Sequence, residues 1–181
     1  SGDLNFSGDR PSLITKSSSG TFRSVVFDKN MQNMAYSYQN LTTPAEIYAS
    51  SVNNFESKQI SHVNDELDLP PLAKTELITW KSKDGLLIEG LLTYPANYEK
   101  GKRYPVIIPI HGGPGGVFSQ DYNGRPGIYM AEYFAQKGYA IIKPNPRGST
   151  GYGKEFRYAN FRDWGFGDFD DVTTGVDKVI E

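Results

Sequence analysis

An apolar run, Val106–Ile110, passes without a break into His111-Gly112-Gly113-Pro114-Gly115-Gly116. Consecutive β-branched residues with no polar alternation mark a strand covered on both faces, the kind found in sheets flanked by helices. Four glycines among the next six residues let the backbone approach a ligand closely and turn its N–H groups inward. Two uses of such a loop compete. A phosphate cradle would need Gly-Lys-Ser/Thr opening a helix, and no such sequence follows. An amide donor for a developing oxyanion fits the loop's place after a buried strand, and a plain glycine-rich turn is the other reading.

The pattern around this run is that of an α/β domain. Leu77–Trp80 and Leu86–Tyr94 read as a hairpin about the turn Lys83-Asp84-Gly85. Pro126–Lys137 is predicted helical, with Pro126 in the first turn and Gly138 at the C-terminal cap. Tyr139–Lys143 is a second apolar strand. Asp168–Glu181 is a second helix with Phe169, Val172, Val176, Val179 and Ile180 on one stripe, capped by Asp168. Strand, helix, strand, helix after a hairpin implies a parallel sheet.

The first sixty residues differ. Ser24–Phe27, Met34–Tyr38, Glu46–Ser50 and Lys58-Gln59-Ile60 are short strands separated by polar turns. They predict an antiparallel meander, one blade's worth of a β-propeller, which cannot bury both of its faces alone. Asp65–Lys74, holding Pro70-Pro71, is the best boundary, giving domains at 1–68 and 69–181.

Composition narrows the chemistry. The chain has no cysteine and only two histidines, His62 and His111, so thiolate catalysis and multi-histidine metal sites are not expected within it. No metal or cofactor is expected; cap and dipole roles account for Asp163, Asp168, Asp170 and Asp171. A net charge of −2 with scattered Lys and Arg argues against nucleic acid as a partner. No stretch approaches the roughly 20 apolar residues of a membrane-spanning helix.

The run Lys143-Pro144-Asn145-Pro146-Arg147-Gly148-Ser149-Thr150-Gly151-Tyr152-Gly153 resembles the signature loop of the prolyl oligopeptidase family, most closely its acylaminoacyl peptidase branch. Asp163-Trp164-Gly165 through Asp171 and Trp80–Gly85 through Glu89-Gly90 resemble further parts of the same family, in the family's order. The blade-like first half resembles the end of the propeller that caps the active site there. The resemblance covers residues 20–181.

The resemblance implies the first half of an α/β-hydrolase sheet preceded by a propeller blade. It also implies acyl transfer to water from short peptides by a Ser-Asp-His triad. The loop after Ile110 then supplies one oxyanion amide, from Gly113 by first choice or Gly112 as near alternative, with His111 orienting the loop. The sequence holds no Gly-x-Ser-x-Gly, and Ser149 sits in a loop rather than a strand-to-helix elbow, so the triad is expected beyond Glu181. The segment is therefore expected to be inactive alone, and to need the rest of its protein or another copy against the Val106–Ile110 edge. Arg147 has two uses: pairing with Asp168, Asp170 or Asp171, or meeting a substrate oxygen. Tyr152, with Tyr122 and Tyr129, either packs or lines an acyl pocket. An esterase, or a non-catalytic module of the same fold, is the alternative.

Overall fold

The computed structural model describes residues 2–5, 12–15, 19–68, 71–113 and 115–180. They form two compact units, one of residues up to Pro70 together with Ser119–Tyr122, the other of Pro71–Phe118 with Asn123 onward.

In the first unit, β1 (Gly2–Asn5) pairs antiparallel with β2 (Ser12–Thr15). A separate sheet holds β3 (Gly20–Phe27), β4 (Asn33–Asn40), β5 (Glu46–Ser51) and β6 (Lys58–Gln59), each antiparallel to the next. The expected meander is present. Its register slips between Arg23 and Val26, where Ser24 takes a φ of 53°, a bulge that re-aims the end of β3. Aromatic side chains hold one face: Tyr36 is buried among Phe22, Tyr48 and Phe55, and its hydroxyl meets Ser57 Oγ at 2.6 Å. Val25, Val26 and Phe27 at the end of β3 are exposed. His62 lies beyond β6, with Nδ1 2.9 Å from Asp65 Oδ2 in an exposed pair.

The second unit is built on a four-stranded sheet. β7 (Thr75–Lys81) and β8 (Leu87–Thr93) form the hairpin, closed by Gly85 at φ 89°. β10 (Ala140–Asn145) is antiparallel to β8 and parallel to β9 (Val106–Ile107), giving the order β7-β8-β10-β9. The sheet is therefore mixed, with one parallel pair, rather than the parallel sheet expected. The hairpin accounts for one antiparallel pair, and β10 adds the second by running against β8.

Val106–Ile110 also departs from expectation. Only Val106 and Ile107 join the ladder, the run is half-buried, and Ile110 is exposed. Pro109 has no N–H to donate, and β9 is an edge strand with one described neighbour. Within the described residues the ladder therefore stops at Ile107.

Helix α1 (Ala131–Gln136) is shorter than the predicted Pro126–Lys137. Gly127 weakens the would-be first turn, and Tyr129 is drawn to the loop after β9, its hydroxyl 3.2 Å from Ile110 O. The C-terminus forms as expected. Gly138, at φ 87°, donates to Ala135 O and Tyr139 donates to Phe134 O, the paired bonds of a Schellman cap. α2 (Gly153–Tyr158) was not anticipated, and α3 (Gly167–Ile180) follows it.

Strand alternation places Ile141 and Trp80 on opposite faces of the sheet. α1 covers the first through Ala131 and Ala135, in a core with Ala73. α3 covers the second through Asp171 and Gly175, its buried residues, while Phe169 and Ile180 of the predicted stripe are exposed. The Trp80 indole decides this. It lies against Gly90 and Gly175, where an added Cβ would come within 2.9 and 2.6 Å, and its Nε1 donates to Asp171 O at 2.8 Å. Asp163, not Asp168, accepts the Gly167 N–H at the helix start, at 3.1 Å. Asp168 instead accepts from Gly165 and Phe169.

Candidate functional site

Past β9 the chain leaves the sheet and enters the glycine loop. Its carbonyls are taken up within the unit: Ile110 O by the Tyr129 hydroxyl, Gly112 O by the Gly116 N–H at 3.2 Å, Gly116 O by the Thr150 N–H at 3.2 Å, and Gly115 O by the Thr150 hydroxyl. Gly112 and Gly113 are exposed, and among the described residues no acceptor takes their amides. Gly113 holds φ 97°, a conformation that favours glycine. Glycine is needed at Gly116 for another reason: a Cβ there would lie 2.7 Å from His111 Nδ1.

His111 is fixed from below. Its Nε2 is 3.0 Å from Ser149 Oγ, and that hydroxyl spends its one proton on Pro146 O at 2.6 Å. Nε2 must therefore be the donor, so the neutral ring carries its proton there. Burial pushes the imidazole below its ordinary pKa and keeps it neutral. Ser149 is fully buried and hydrogen-bonded, which suits an anchor and not a nucleophile.

Arg147 meets no open surface. Asp171 Oδ2 accepts both its backbone N–H at 2.7 Å and Nε at 2.9 Å, and Asp171 Oδ1 accepts a terminal nitrogen at 2.8 Å. The other edge of the guanidinium forks onto Asp84 in the hairpin turn, at 2.8 and 3.0 Å. These hydrogen bonds, with Asp171 contributing most, raise the Arg147 pKa, and Arg147 in turn holds the Asp84 carboxyl below its usual value. Asp170, also considered as a partner, pairs instead with Lys83 at 2.7 Å.

Tyr152 is half-buried. Its hydroxyl accepts from Asn145 Nδ2 at 2.9 Å and its ring packs on Phe156. Burial pushes the phenol up to about 12. With the folded value raised, the neutral phenol stabilises the fold fully below the ordinary value near 10 and ceases to as pH rises toward about 12. In an ultraviolet titration, Tyr152→Phe is expected to remove a late-ionising phenol and leave the ordinary ones in place; loss of a group titrating near 10 would contradict the burial seen here. Of the other tyrosines considered, Tyr129 packs edge-on against Phe118, with ring centroids 5.0 Å apart, and Tyr122 belongs to the first unit.

Sequence reasoning passed over Asn145, Thr150 and Asp84. Asn145 and Thr150 lie in the signature run but carry no charge to draw notice, and Asp84 read only as a turn residue. The signal for Asn145 is a polar side chain at the end of a strand that opens Ala140-Ile141-Ile142.

Residues 128–181 match the prolyl oligopeptidase family. YuxL, an uncharacterized peptidase of Bacillus subtilis, is 37% identical over 139 residues, which is 76% of this chain and 20% of that protein. Dipeptidyl-peptidase 5 of Aspergillus fumigatus is 30% identical over 143 residues, 78% of this chain and 19% of that one. The acylaminoacyl peptidase of Pyrococcus horikoshii superposes with a TM-score of 0.75 at 26% identity, over 96% of this chain and 26% of that chain. The chain thus spans about a fifth of the length of the curated relatives it matches. Its matched helices and signature loop, its peptidase relatives and its superposition on an acylaminoacyl peptidase agree: the chain belongs to the prolyl oligopeptidase family.

Proposed function

We propose that this chain is the part of a serine peptidase that supplies the oxyanion loop, and that the whole protein hydrolyses short peptides through an acyl-enzyme. The observation that carries this is the division of labour in the loop: the carbonyls of Ile110, Gly112, Gly115 and Gly116 are occupied within the unit, while Gly112 and Gly113 are exposed and no described acceptor takes their amides. A loop so arranged keeps amide donors available to a carbonyl acquiring negative charge. The serine would come from a strand pairing with the free edge of β9, and the amide following it would be the second donor. The peptidase names of the relatives favour amide over ester substrates. The first unit is read as a propeller blade.

A fluorophosphonate probe tests this on the full-length protein. One labelled serine outside this chain is expected, together with cleavage of short peptide amides. An unlabelled protein would overturn the assignment, and labelling with turnover of esters alone would move it to the esterases. The 181-residue chain by itself is expected to stay unlabelled.

The free edge of β9 has a physical consequence of its own. An unpaired ladder beside half-buried Val106 and Ile107 invites another strand, from the rest of the protein or from a second copy. Light scattering on the isolated chain is expected to show self-association, and a monodisperse monomer would count against this use of the edge.

A further inference from the structure

The glycine loop begins at His111 and ends at Phe118, and the structure holds both ends from one place. At the first end, Ser149 Oγ accepts a hydrogen bond from the His111 Nε2–H. At the second end stands Asn145, the last residue of β10, which is 1% exposed. Its Oδ1 accepts the Phe118 N–H at 2.7 Å, and its Nδ2 donates to Phe118 O at 3.0 Å and to the Tyr152 hydroxyl at 2.9 Å. Both hydrogens of the carboxamide and one oxygen are thus committed. The side chain serves Phe118 as a neighbouring strand would, meeting its donor and its acceptor together.

Only a carboxamide of this length fits. An aspartate could accept from Phe118 N–H but could not donate to its carbonyl, a leucine could do neither, and a glutamine is one methylene too long. Phe118 relays the constraint, since its ring stands edge-on to His111 at 5.2 Å and to Tyr129 at 5.0 Å. Asn145 itself cannot drift, because its backbone is paired with Glu89 in the sheet.

We infer that Asn145 is a positioning residue: its carboxamide clamps Phe118 to the end of β10 and so fixes the loop that presents the Gly112 and Gly113 amides. The catalytic part of this rests on the oxyanion reading above; the clamp does not.

The test uses the full-length protein with Asn145→Asp and Asn145→Leu, and reads amide hydrogen exchange across residues 116–118 alongside kcat and KM on a peptide substrate. Asn145→Asp, matched in size, covers the case in which Asn145→Leu fails to fold. Exchange is expected to quicken by about tenfold or more, and kcat to fall by about 10- to 100-fold with KM held within about threefold, as for the loss of an interaction made in the transition state. Unchanged exchange at 116–118 would overturn the clamp. Quickened exchange with unchanged kcat, in a protein where Gly113→Pro does lower kcat, would overturn the positioning role. If Gly113→Pro also leaves kcat unchanged, the oxyanion reading falls while quickened exchange still supports the clamp.

Discussion

Gly113→Pro in the full-length protein is expected to lower kcat by about 10²- to 10³-fold, with a much smaller change in KM. Two effects act together. Proline has no N–H, so the proposed donor is gone, and its ring fixes φ near −65° where the loop needs 97°. A single oxyanion donor is worth about 3 kcal/mol because it acts on charge that appears only as the carbonyl becomes tetrahedral. Gly113→Ala separates the two effects. It keeps the amide and strains the left-handed backbone by about 1–2 kcal/mol, so it should fall between wild type and proline. The same strain acts on stability, so thermal unfolding should come modestly earlier in Gly113→Ala and earlier still in Gly113→Pro. Wild-type kcat in Gly113→Pro would mean the amide faces nothing that reacts.

Asp171→Ala is expected to cost about 3 kcal/mol or more of folding stability, read as a lower midpoint in urea unfolding. Asp171 is fully buried and Arg147 is 8% exposed, so removing the carboxylate leaves a buried guanidinium with Nε and one edge unpaired and only Asp84 on the other. The loss reaches further than the ion pair. Asp171 Oδ2 also accepts the Arg147 backbone N–H, so the same substitution frees the Pro146–Ser149 turn that supports His111. Asp84 is half-exposed, and its contact with Arg147 offsets little, about 1 kcal/mol at most. Arg147→Lys should not rescue, because an ammonium cannot fork onto two carboxylates at once. A loss below about 1 kcal/mol in Asp171→Ala would show that water reaches Arg147. Acid should act weakly by comparison. The Asp84 carboxyl is held below its ordinary value by the Arg147 hydrogen bond, so its contribution is intact above about 4 and fades only as pH falls through the lowered folded value.

Local chemistry made some of this legible in advance. Lys83-Asp84-Gly85 announced the hairpin turn and Gly138 announced a helix end, because each needs a backbone conformation that glycine adopts at little cost. The meander of the first unit followed from short alternating strands and polar turns. Other elements depended on partners far along the chain. The described extent of β9 stops short of the apolar run Val106–Ile110, because Pro109 has no N–H to continue the ladder. The buried face of α3 was set by Trp80, 91 residues before Asp171, which selected Gly175 over the larger residues of the apolar stripe. At the site, the carboxylates near Arg147 in sequence included its partner Asp171, but Asp84 lies 63 residues away and was hidden by its turn. Asn145 was hidden for another reason: its partner is the backbone of Phe118, and a side chain that binds backbone leaves no complementary residue type to find.

Where the Gly113 amide points decides the oxyanion assignment, and a transition-state adduct shows it directly. With the full-length protein inhibited by a phosphonate or boronate, the Gly113 N–H is expected about 2.7–3.1 Å from the adduct oxygen, with Gly112 beside it and the carbonyls of Gly112, Gly115 and Gly116 still turned away. An adduct oxygen held by other donors, or a loop carbonyl facing it, would contradict the account.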